Sequence, residues 1–169
     1  DPLRWYLLTT SPPWLPTRFD EEGIAEFIRK FFGTLTNLYS FFTLYANIDK
    51  FTGKEVLIPI EQRSQIDRWI ISKLNTLVKE IEANLDRLEI TKSARAISAF
   101  VVDDLSNWYV RRCRRRFWKP SELNGNGGMG TDKLSAYQTL YHVLKTISKI
   151  IAPFIPFFSE ELYQNLIIE

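Results

Sequence analysis

Apolar residues return at steps of three and four along four long stretches of this chain, and no convincing run alternates apolar with polar. A period near 3.6 lays such residues on one face of a helix, whereas a half-buried strand needs a period of two. The first stretch opens at Asp20, placed to cap a helix whose first turn holds Glu21 and Glu22, carboxylates that suit the positive end of the helix dipole. Ile24, Phe27, Ile28, Phe31, Phe32, Leu35, Tyr39, Phe42 and Ala46 follow it. After a loop with Gly53 and Pro59, Ser64 and Asp67 resemble a capping box opening a second helix, striped by Ile66, Trp69 or Ile70, Leu74, Leu77, Ile81, Leu85 and Leu88.

Thr91 is placed to cap a third helix running to about Trp118, with Ile97, Val101, Leu105 and Trp108 as its apolar line. Thr131 is placed to cap a fourth, whose Leu134, Tyr137, Leu140, Tyr141, Leu144, Ile147 and Ile151 face inward until Pro153 and Pro156 stop it. Short helices are expected from Pro2 to Leu8 and from Phe157 to Leu166. The Gly- and Asn-rich SELNGNGGMG, between the third and fourth helices, reads as a mobile linker. The expected fold class is all-α: an antiparallel bundle of four long helices plus short terminal helices, occupying residues 20–169, with residues 1–19 as a connector.

The 169 residues are 45% hydrophobic and 25% charged, the make-up of one ordinary soluble domain. A domain of this size hides roughly 70% of its unfolded surface and needs no staple. The single cysteine, Cys113, rules out an intrachain disulfide, and no Cys/His cluster has zinc-ligand spacing. A reducing, cytoplasmic location follows as an expectation. A secretory leader and any apolar run of about 18 residues are missing from the sequence, so no membrane partner is expected. The one methionine is Met129, and the chain opens at Asp1, which reads as a piece of something longer.

Charge is unevenly placed. Arg111, Arg112, Arg114, Arg115, Arg116 and Lys119 fall within nine residues containing no acid; the net charge is only +2, so the remainder of the chain sums to −4. A mildly acidic body with one strongly basic spot points to a localized anionic partner. Trp108 to Trp118 reads WYVRRCRRRFW. Guanidinium forks pair with phosphate oxygens, and neighbouring aromatic rings stack on unpaired bases, which is how proteins usually read RNA loops. On a helix Trp108, Arg111, Arg112, Arg115 and Lys119 share one side, while Arg114 and Arg116 point elsewhere. The plainer reading is a solvated helix end, since cations are favoured at a helix C-terminus and bundle aromatics are usually core. A helical protein-interaction module with a basic tip is a further alternative.

No constellation supports chemistry. His142 sits in the inward-reading fourth helix and is expected to be packed or hydrogen-bonded. Asp103 and Asp104 are adjacent, about 100° apart on a helix, and cannot share a metal; bridging to nearby cations suits them better. The arginines around Cys113 could lower its thiol pKa, but no base stands near it in sequence. GNGGMG lacks the lysine and preceding strand of a phosphate loop. No catalytic and no metal residues are expected.

Several segments resemble the isoleucyl-tRNA synthetases, class I enzymes. DPLRWYLLTTSPPW with RFDEEGI resembles the stretch that leads from their nucleotide-binding domain into a helical domain, QIDRWIISKLN the start of a long helix there, and IAPFIPFFSEELYQNL their closing helix pair. VVDDLSNWYVRRCRRRFW is the most specific match, and its arginines point to the isoleucyl branch rather than the valyl one, with the corresponding domain of a valyl or leucyl enzyme as the alternative. The resemblance implies an anticodon-binding domain, with residues 1–19 leading from a catalytic domain outside this sequence. It implies a parent enzyme that joins isoleucine to tRNA with ATP and magnesium and edits mischarged valine. The HIGH-like and KMSKS-like signatures for ATP do not occur in this sequence, so no cofactor and no aminoacylation are expected of the chain itself. Trp108, Arg111, Arg112, Arg114, Arg115, Arg116, Trp118 and Lys119 become candidate contacts to the tRNA anticodon arm, some of the arginines instead bracing the bundle. A monomer partnered by tRNA and by the catalytic domain is expected.

Overall fold

A computed structural model describes residues 1–119 and 129–167. Most of the expected linker falls outside the described residues. Helix α1 is Pro2–Thr10. The stretches Glu21–Phe27, Ile28–Phe32 and Gly33–Asp49 run on as one helix, α2, whose middle stretch has the wider π-helical turn. Helix α3 is Gln65–Asp86. Ile90–Ala99, Phe100–Val110 and Arg111–Trp118 form α4, again with a π stretch between α-helical ends. Helix α5 is Thr131–Ile151 and α6 is Pro156–Leu166. Among the described residues there is no strand.

Directions follow from which residues meet. Asp67, Trp69 and Lys73 of α3 reach Arg116, Trp108 and Asp104 of α4, so these helices are antiparallel. Phe42 and Asp49 of α2 meet Tyr141 and Tyr137 of α5, again antiparallel. The shared seam is apolar: Leu35, Ile70, Leu74, Ile97, Val101, Leu105, Leu140, Leu144, Ile147 and Ile151 are fully buried. Each such side chain contributes about 1.5–3 kcal/mol by leaving water. Helix α1 lies against α4 and α2, with Trp5 sealed in the core and stacked on Phe31 at 4.3 Å.

The ends of the helices show what local sequence decides. Asp20 caps α2 by accepting from the backbone N–H of Glu22 and Gly23, both at 3.2 Å. Ser64 caps α3. Thr91 and Thr131 do not cap: Glu89 and Gly130 hold the cap positions, because the cap must keep a non-helical backbone and both threonines are already inside the helix. Thr91 donates instead to the Ser11 carbonyl at 3.2 Å. Helix α3 ends at Asp86, so Leu88 leaves the apolar stripe and stands exposed with φ of 60°.

In α4 the core line is Ile97, Val101, Leu105, Tyr109 and Cys113, a repeated step of four, rather than one ending on Trp108. The Phe100–Val110 stretch bonds i to i+5 and turns more slowly, which keeps a four-residue step on the core side. Trp108 is thereby rotated outward and is 50% exposed.

Candidate nucleic-acid interface

The C-terminal end of α4 and the N-terminal ends of α3 and α5 come together at one end of the bundle, because Arg116 reaches both Asp67 and Asp132. Arg111, Arg112, Arg114, Arg115 and Lys119 are exposed there, as are Trp118 at 55% and Trp108. Arg114, expected to point away from the others, is also exposed, so four arginines and Lys119 share the free surface of this helix end.

Arg116 is different. Its side chain is 14% exposed, and both terminal nitrogens donate to the fully buried Asp67 at 2.8 Å. The same guanidinium donates to Asp132 Oδ2 at 3.1 Å, to the Asp132 carbonyl at 2.8 Å and to Ser135 Oγ at 2.9 Å. Tyr109 donates its hydroxyl to Asp67 Oδ1 at 2.7 Å, and Ser64 donates to Oδ2 at 2.8 Å. Burial alone would raise the Asp67 pKa, but Arg116 and then the two hydroxyls outweigh it and hold the carboxyl below the usual carboxylate range. Burial also opposes the charge on Arg116, yet Asp67 holds that pKa above even its usual high value. The Tyr109 hydroxyl is pushed well up, by burial first and then by Asp67. Near neutral pH the pair is fully ionised and its lone pairs are satisfied.

A second clamp ties the same end of the bundle. Lys133 Nζ of α5 lies 2.6 Å from Asp49 Oδ2 of α2 and donates to the Lys119 carbonyl at 2.8 Å. Tyr137 donates to Asp49 at 2.5 Å, and burial followed by Asp49 raises its pKa. All four long helices are thus pinned by ionic contacts where the exposed arginines stand. The polar interior is a brace, and the exposed cations stand on its outer face.

Cys113 is buried, and burial pushes its thiol pKa up despite Arg116 at 3.7 Å, the opposite of the lowering that five neighbouring arginines suggest. Asp104 bridges to Lys73 at 3.5 Å. His142 is exposed, not packed, beside Arg63 and Lys145 on the wall of a cleft of about 410 Å³. Among the described residues no group of three or more His, Cys, Asp or Glu could hold a metal, and no helix is long and apolar enough to cross a membrane.

A family model described as the anticodon-binding domain of tRNA ligase matches residues 67–169. The chain belongs to that family. It is 55% identical over 98% of its length to an isoleucine–tRNA ligase of Porphyromonas gingivalis, and 56% identical over 99% to one of Bacteroides fragilis. One of Clostridium novyi is 51% identical over 99% of the chain. The chain spans 14–15% of the length of these relatives. The matched region of this anticodon-binding domain opens at Asp67 and takes in the whole of α4, α5 and α6, so it contains the Arg116–Asp67 pair and the exposed arginines, while Asp49 and Ser64 lie before it.

Sequence reasoning missed two residues beside this surface. Trp69 and Lys73 of α3 stand across the seam from Trp108 and Asp104. Periodicity had left Trp69 and Ile70 as alternatives for one stripe position; Ile70 is fully buried and Trp69 only partly. The place of Arg116 had a signal: it follows Tyr109 and Cys113 by seven and three residues, on the flank of the line that enters the core.

Proposed function

We propose that this anticodon-binding domain is part of an isoleucine–tRNA ligase and holds the anticodon arm of a tRNA on the exposed end of α4. The observation that carries the reading is the division of labour among the arginines. Arg116 is consumed by the brace, while Arg111, Arg112, Arg114, Arg115 and Lys119 stand exposed on the rigid end it creates, flanked by Trp108 and Trp118. Phosphates are neutralised by the guanidinium groups, and unpaired bases stack on the rings. Relatives at 51–56% identity, all isoleucine–tRNA ligases, support the isoleucyl branch over the valyl and leucyl ones.

In this reading residues 1–19 lead from the catalytic domain, residues 20–169 form the tRNA-holding bundle, and the whole enzyme works as a cytoplasmic monomer. ATP and magnesium would be held by the catalytic domain, since neither ATP signature occurs in this chain. The chain's own residues bind and orient RNA and move no proton.

Titration of labelled tRNA at a series of salt concentrations tests this. Neutralising about four phosphates gives a slope of log affinity against log salt of roughly −3 to −4. The combined Arg111→Ala, Arg112→Ala and Arg115→Ala variant should flatten that slope by roughly 2–3. Binding that ignored salt, or that survived the triple change, would overturn the reading.

A further inference from the structure

Two tryptophans meet where α3 and α4 run side by side, outside the core. Trp69 and Trp108 have ring centroids 6.4 Å apart and planes tilted by 56°. Each carries a cation: Arg112 lies over the Trp108 ring at 4.6 Å, and Lys73 over the Trp69 ring at 5.8 Å. Lys73 is shared with Asp104, 3.5 Å away, so it is not committed to the ring. The large core aromatics, by contrast, are sealed: Trp5, Phe31, Phe117, Tyr137 and Phe154 are each at most 2% exposed. Trp108 is half exposed, and Arg111, Arg112 and Arg115 continue the same helix toward its tip.

We infer that the Trp69–Trp108 seam is a seat for an unpaired nucleobase of the RNA whose phosphates lie along Arg111, Arg112 and Arg115. The inference rests on the tRNA-binding reading above and adds to it a site supplied by two helices, one of whose rings lies on α3. An exposed aromatic surface is sequence-tolerant, because every base has a π face to lay on it. Cations beside it take the phosphates on either side of the stacked base, and Lys73 can leave its ring for a phosphate while Asp104 stays in reach of solvent. A duplex keeps its bases stacked inside and offers only phosphate and sugar, so it cannot occupy the seat. An acidic protein offers charge without a planar base. The seam therefore favours a loop over a stem.

The test uses this chain with two RNA probes of equal phosphate count, a hairpin with an unpaired loop and a blunt duplex, with 2-aminopurine placed in turn at each loop position. The hairpin should bind more tightly than the duplex, and one loop position should lose 2-aminopurine fluorescence on binding. Trp69→Leu and Trp108→Leu should each weaken the hairpin about 5- to 100-fold and abolish that quenching, the effect of removing an aromatic surface from under one base. Trp69→Phe should keep most of both. Duplex affinity and its salt slope should stay unchanged in all three variants, which also shows that they are folded. If hairpin and duplex bind alike and neither leucine variant separates them, the seat is overturned while the tRNA reading stands. If the duplex and the hairpin both fail to bind in a salt-dependent way, the underlying reading falls and the seat with it. If polyglutamate competes with the hairpin and both leucine variants weaken polyglutamate equally, the seam is a protein-docking face and the proposal is overturned.

Discussion

Arg116 grips Asp67 with both terminal nitrogens at 2.8 Å, across 49 residues of sequence and in the interior between three helices. The contact fixes how α4 is rotated against α3, and hence which side of the WYVRRCRRRFW segment faces out. Replacing such a pair by well-packed apolar residues is often neutral or stabilising, so the pair need not add net stability. Its geometric effect is definite. With Arg116 turned in, Arg111, Arg112 and Arg115 are turned out, and the buried Asp67 carboxylate, which would dim the positive surface, is neutralised beneath it.

Breaking the pair from one side strands a buried charge. Arg116→Ala leaves the Asp67 carboxylate without its main partner at a fully buried position, and urea unfolding should show a loss of about 3–5 kcal/mol. Arg114→Ala, on the exposed flank of the same helix, should change stability by no more than about 0.5 kcal/mol. On the proposed function the order reverses for tRNA: Arg114→Ala should weaken binding while the fold holds. Equal stabilities for the two variants would show that the interior contact carries nothing.

The same pair sets a pH dependence. Because the Asp67 pKa is depressed in the folded chain, its share of stability is complete above the ordinary value of 3.8 and is lost as pH falls through that value toward the folded one. Measured by urea unfolding, the stability gap between the wild-type chain and Asp67→Asn should hold from about pH 7 to pH 5 and close steadily below about pH 4. A gap that stayed constant to pH 3 would mean that Asp67 is not held as a carboxylate.

The helices were legible because period and burial coincide: Ile70, Leu74, Leu77 and Ile81 repeat and are buried as the repeat requires. Asp67 was legible only as half of a local cap. Its partner stands 49 residues away, and no spacing rule connects an acid near a helix start to one arginine among five. The exposed arginines were legible as a group, but not which one was spent. Trp108 was assigned to the core line because a straight 3.6 period was carried through a stretch that is π-helical, and Trp69 was undecidable because the residue beside it is equally apolar. Threonine at either end position of a helix looks the same in sequence, and only backbone geometry separates a cap from a first residue.

Arg95 of α4 ties the first helix to the bundle. Its Nε donates to the Thr9 carbonyl at 2.8 Å and an η nitrogen to the Thr10 carbonyl at 2.7 Å, two of the carbonyls a helix end leaves unpaired. Arg95→Ala should cost about 1–2 kcal/mol, since the freed carbonyls regain some water, and the loss should be local. Amide exchange should quicken across α1 and stay slow across α5. Exchange that quickened equally in both helices would show that α1 and the bundle unfold as one unit.

Gly23 tests how closely α1 is packed against α2. A Cβ there would sit 2.7 Å from Cε2 of Tyr6, and that ring is fixed, because its hydroxyl donates to the Arg18 carbonyl and accepts from the Asp20 N–H, both at 3.1 Å. Two effects oppose each other in Gly23→Ala. Helix propensity favours alanine by about 1 kcal/mol, whereas forcing a buried ring aside costs about 1–3 kcal/mol. The net change should be destabilising, by up to about 2 kcal/mol, because Tyr6 cannot move without losing both hydrogen bonds. In a Tyr6→Leu background the obstruction is gone, and the same Gly23→Ala change should raise the thermal midpoint instead of lowering it. A double-mutant cycle reads the coupling directly; additive changes would mean that the two residues do not touch.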